Sequence, residues 1–145
     1  MGKLAPLDRV VWIDRGWQPV YLGFCPSEKA WKHAMKRMGL PNEPYPDSAG
    51  RLTRFEKDGK ATLIMTLGEG GEENHSRVEI AGLLAHEATH AKQMICEHIG
   101  EDSPSMEFEA YTVQAIFQAF YQAWLDTRAP EAMKAACARI QTAEA

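Results

Sequence analysis

Apolar residues recur along the chain with two periods. Short runs with a period near two, rich in β-branched and aromatic residues, occupy much of the first half. Long runs with a period near three and a half dominate the second. Arg9 to Asp14 (RVVWID) and Gln18 to Phe24 (QPVYLGF) are separated by Arg15-Gly16-Trp17, which predicts a hairpin, and Pro19 favours an edge position for the second run. Arg51 to Glu56 and Ala61 to Leu67 flank Lys57-Asp58-Gly59-Lys60, and Asp-Gly between β-prone runs predicts another hairpin. In the last of these runs Leu63, Met65 and Leu67 alternate with Thr62, Ile64 and Thr66. That pattern suits either a half-buried strand or a sheet edge to which an extended peptide adds as a further strand.

Three helices follow from spacing and capping residues. Ser27 is placed to cap the first, Ala30, Trp31, Ala34, Met35 and Met38 recur on one face as core, and Gly39 ends it. Leu40 to Gly50 carries Pro41, Pro44 and Pro46 and reads as a loop. Gly68 to His75 (GEGGEENH) is an acidic glycine-rich loop without the pattern or charge of a phosphate-binding loop. Ser76 with Glu79 forms a capping-box pair ahead of the central helix, where Ile80, Leu84, Ala88, Ala91, Ile95 and Ile99 make one stripe and His86 and His90 lie nearly opposite it. Gly100 to Ser105 is the turn into a long helix, Met106 to Thr127, with Met106, Ala110, Val113, Phe117, Phe120 and Trp124 on one face. The short connection makes the two long helices antiparallel neighbours. Ala129-Pro130 breaks the second, and Pro130 to Ala143 reads as a short Ala-rich helix.

Composition narrows the class. A length of 145 residues suits one domain spanning 1–145, and 45% hydrophobic with 25% charged residues is ordinary for a globular chain. A net charge of -4 gives no electrostatic reason to expect a nucleic-acid partner. Three cysteines, Cys25, Cys96 and Cys137, make no disulfide framework and read as small buried hydrophobes in a reducing compartment. The N-terminal residues lack the apolar core of a secretory signal, and no stretch reaches the ~18 apolar residues of a membrane span. The expectation is a soluble, cytoplasmic protein with no membrane partner.

The central helix supplies the candidate chemistry. His86, Glu87 and His90 form an HExxH pattern, in which two imidazoles four residues apart share a face and can hold one Zn2+ ion. A hydrolytic zinc needs a third protein ligand and an open position for water, with Glu87 as the general base. His98, near the helix C-terminus, is more simply a dipole-compensating residue. The start of the last long helix offers two acids. Glu109 falls on its apolar face beside Val113 and Ile116, where a carboxylate needs a partner; Glu107 lies with Gln114 and Gln118 on the polar side.

On these residues the sequence resembles the gluzincins, zinc metallopeptidases in which HExxH on one helix is completed by a glutamate on the next. The resemblance covers roughly residues 76 to 121. It implies His86, His90 and Glu109 as ligands, with Glu107 as the alternative third ligand, and Glu87 as general base. Tyr111 is a candidate donor to the oxyanion, or else a tyrosine at the edge of the core. The segments LLAHEATHAKQ and IGEDSPSMEFEAYTVQ are also similar to small phage and prophage metallopeptidase-like proteins. The fold expected is α+β: a small antiparallel sheet of two hairpins packed on a helical core, with the HExxH helix central. The function expected is zinc-dependent hydrolysis of a peptide or protein substrate. Its rivals are a catalytically silent regulatory or assembly protein that keeps the scaffold, and a zinc amide hydrolase acting on a non-protein substrate.

Overall fold

The computed structural model describes residues 6–68 and 74–128. In chain order the elements are β1 (Val11–Trp12), β2 (Tyr21–Cys25), α1 (Glu28–Arg37), β3 (Gly50–Lys57), β4 (Lys60–Leu67), α2 (Arg77–Ile99) and α3 (Met106–Thr127). The Ala-rich helix expected over Pro130 to Ala143, and Cys137 within it, lie outside the described residues, as does most of the acidic loop.

The sheet is mixed, not antiparallel. Its order is β1-β2-β4-β3, and the two hairpins join through parallel pairing of β2 with β4, from Tyr21 opposite Thr62 to Cys25 opposite Thr66. The reason lies in the crossover. After β2 the chain passes through α1 and the proline-rich loop, lays β3 at the outer edge, and turns at Asp58-Gly59 so that β4 returns beside β2 and in its direction. Both turn residues have positive φ, 53° and 77°, as the favoured two-residue hairpin turn requires.

Burial on both faces explains why β2 and β4 are central. Leu22, Phe24, Leu63 and Met65 enter the core shared with α2 and α3, whereas Cys25 and Ile64 pack on the other side with Trp31 and Met35 of α1. A strand covered on both faces belongs in the sheet interior. Pro19 therefore does not put the second run at an edge, since β2 begins only at Tyr21 and Pro19 precedes the ladder. β4 likewise has neighbours on both sides, so the sheet edges are β1 and β3 and β4 is not open to an added strand.

The long helices are set by their ends. Ser76 Oγ accepts from the Glu79 backbone N–H at 3.1 Å while Glu79 Oε1 accepts from the Ser76 N–H at 2.9 Å. At the other end of α2, Gly100 takes φ 75°, and the Glu101 N–H reaches the Cys96 carbonyl at 2.8 Å in a Schellman closure. Gly39 at φ 77° closes α1 in the same way, with Leu40 N–H on the Met35 carbonyl. Ser105 caps α3 through the Phe108 N–H. The buried stripe of α3 is Ile116, Phe120, Ala123, Trp124 and Thr127; Met106 and Ala110, expected on the apolar face, are exposed, so the packed part of α3 starts later. Among the described residues no helix is long and apolar enough to cross a membrane.

Candidate functional site

The HExxH residues stand on the middle of α2. The His86 and His90 rings are neighbours, with centroids 4.8 Å apart and planes at 76°. His86 is exposed and His90 half-buried, with its Nδ1 2.9 Å from Gln93 Oε1. Glu87, one position round, is only 7% exposed. The helix thus brings the three together as its spacing requires.

The third metal ligand does not join them. Glu109 lies at the α2–α3 interface, where its Oε1 accepts a hydrogen bond from Lys92 Nζ at 2.8 Å. An α-helix turns by about 100° per residue, so Lys92, two positions beyond His90, projects roughly 200° away from it. A carboxylate held on the Lys92 side of α2 is therefore behind the histidines. Glu107, the alternative, is exposed in the first turn of α3. Among the described residues no three His, Cys, Asp or Glu side chains gather into a group able to hold a metal ion. A catalytic zinc takes three protein ligands, and the described residues do not supply them. The expected Zn2+ centre, the gluzincin identity and the metal-dependent hydrolysis of peptide or other amide bonds are corrected accordingly. Glu109, expected among core residues, has a side chain 40% exposed, and its partner is the Lys92 ammonium group.

Two of the concave surfaces among the described residues bear on the candidate residues. A cleft of about 510 Å³ lies between the start of β3 and the N-terminal half of α2, lined by Gly50, Glu79, Gly82, Leu83, His86 and Glu87. A groove of about 630 Å³ separates the N-terminal hairpin from α3. Trp12, Trp17 and Tyr111 line it and are 52%, 69% and 66% exposed. Trp17 packs against Phe108 at 5.9 Å between centroids, tying the hairpin turn to the start of α3. Tyr111 opens onto this groove, and among the described residues none lines both the groove and the cleft with His86 and Glu87. The hydrolytic role expected of Tyr111 falls with the metal site.

Sequence reading passed over Lys92, Trp12 and Trp17. Lys92 carried a usable signal, since it stands four residues after Ala88 and between Ala91 and Ile95 of the apolar stripe, where a cation must find an acid on whatever packs there. Two tryptophans within one short hairpin, more than a two-residue strand can bury, were the signal for the groove. The chain matches no protein-family model, no curated protein and no solved structure, so the likeness to gluzincins rests on the HExxH spacing and its neighbouring acids alone.

Proposed function

We propose that the chain is a binding domain without turnover, a regulatory or assembly protein that receives a helical segment of a partner protein in the groove between the N-terminal hairpin and α3. The observation that carries this reading is the exposure of Trp12, Trp17 and Tyr111 on one apolar surface. Large aromatic side chains left in water around a single concavity are the residue types that dominate protein interfaces. The floor supports a helical occupant. Ala115 and Ala119 stand one turn apart along α3 on the groove, so a second backbone can approach closely there. From Phe108 to Asp126 the floor runs about 27 Å at 1.5 Å per residue, enough for five turns of a partner helix.

A photo-crosslinking residue at Ala119 tests this in the cells the protein comes from. The expected result is one crosslinked partner whose joined segment, made as a peptide, binds the purified protein with micromolar affinity and gains helicity. Trp17→Ala and Tyr111→Ala should each weaken that binding by roughly tenfold or more. Crosslinks only to this chain itself, or release of shortened products from a peptide library, contradict the reading.

A further inference from the structure

The cleft beside α2 carries a second, independent feature. Glu87 is more than nine-tenths buried and lines that cleft, and among the described residues it has no hydrogen bond or ion pair. Its carboxylate oxygens are not sealed in the core, so they meet the solvent of the cleft and are accessible to a ligand there. Among the described residues Lys92 is paired with Glu109, and Arg54 with Glu56 and Glu97. No cation among the described residues is paired with Glu87, and its carboxylate is free to take one that enters the cleft.

We propose that this cleft binds an organic cation, an ammonium or guanidinium group on an aliphatic stem, with Glu87 as the counter-ion. The walls match both halves of such a group. Leu83, packed against Gly50, offers an apolar side to the stem, and Gly82 adds no side chain to the lining. A Cβ built on Gly82 meets nothing within 4 Å, so the space there is open. Long basic side chains bind in this manner, stem along an apolar wall and head on a carboxylate. Glu79 lines the same cleft and adds negative potential, although one of its oxygens caps α2. His75 and His86 complete the rim. The cation can arrive as a lysine or arginine side chain of a peptide or as a free alkylamine, and the proposal does not depend on the groove on α3.

Titration followed by NMR at the His86 ring and the Gly82 amide tests the site. Three probes are used: Nα-acetyl-lysine methylamide, its norleucine counterpart, and n-butylammonium. Saturable shifts with the lysine probe at a Kd of about 1 to 10 mM, and none with norleucine, are expected. Equal binding of n-butylammonium assigns the site to free amines, and a clear preference for the lysine amide assigns it to a peptide chain. Glu87→Gln should weaken binding at least tenfold. Gly82→Leu, which fills the cleft and leaves the carboxylate in place, should abolish it while the thermal midpoint is kept. Equal shifts with norleucine, unchanged affinity in both variants, or no saturation by the wild-type protein overturns the proposal.

Discussion

Lys92 Nζ stands 2.8 Å from Glu109 Oε1 and joins the two long helices on the side of α2 that faces away from the histidines. The Lys92 side chain is 12% exposed and that of Glu109 40%, so the two partners depend on the pair unequally. Glu109→Gln leaves a nearly buried ammonium without its counter-charge and should cost about 1–2 kcal/mol. Lys92→Met leaves a carboxylate that water still reaches and should cost less than about 1 kcal/mol. Chemical denaturation of both single variants and the double variant gives the coupling, which the exposure of Glu109 limits to roughly 1 kcal/mol or less. A double variant as unstable as the sum of the singles would show no coupling at all.

The same pair shows what could be read from the sequence. Three helices, their serine caps and the Asp58-Gly59 turn were legible because each depends on residues a few positions apart. The parallel pairing of β2 with β4 was not, because a strand's sequence records that it is buried without naming its neighbour. Glu109 was legible as an acid in need of a partner, and the choice of partner was where the reading failed. The stripe Ile80, Leu84, Ala88, Ala91 and Ile95 already placed the packed side of α2 opposite His86 and His90. A helix docked on the packed side presents its acids to Lys92, not to the imidazoles. HExxH spacing specifies two donors on one helix and is silent about the third.

The capping box of α2 predicts a pH dependence. Hydrogen bonds from the Ser76 backbone, then from its side chain, hold the Glu79 carboxyl below its ordinary range. A carboxyl whose folded value is depressed contributes stability that is present above its unfolded value and is lost as pH falls through the folded one. Stability should therefore decline on acidification below the usual glutamate range, and Glu79→Gln should flatten that part of the profile. Ser76→Ala should cost about 1 kcal/mol at neutral pH through loss of the cap itself. Urea melts across the acidic range check both; an unchanged slope in Glu79→Gln contradicts the assignment.

Burial pushes the Cys25 thiol up to about 12, against a smaller opposing effect of the Ser27 carbonyl it bonds. Only the thiolate reacts with alkylating agents. Cys25 should therefore remain unmodified by iodoacetamide at mildly alkaline pH in the folded protein and react at the rate of global unfolding. Peptide mass mapping over a denaturant series reads this, and rapid labelling of Cys25 under native conditions would show that the α1 side of the sheet opens on its own.

Gly23 sits in β2 beneath β1. A Cβ there would stand 2.6 Å from Val10 Cγ1 and 3.0 Å from the Trp12 ring, so Gly23→Ala has to displace the hairpin that forms one wall of the groove. A loss of about 1–3 kcal/mol is expected, as for overpacking elsewhere. Partner binding should weaken with it, whereas Gly82→Ala, in open space on α2, should stabilise by about 0.5–1 kcal/mol. Equal behaviour of the two variants in thermal melts would contradict the packing described for the hairpin.

The most direct measurement is competition for Zn2+ between the purified protein and a chromophoric chelator at neutral pH, repeated with His90→Ala and Glu109→Gln. With Glu109 held by Lys92 on the far side of α2, zinc should be no tighter than about micromolar and indifferent to Glu109→Gln. One equivalent of zinc held at nanomolar affinity, and weakened by both substitutions, would place histidine and glutamate on one ion and contradict the account.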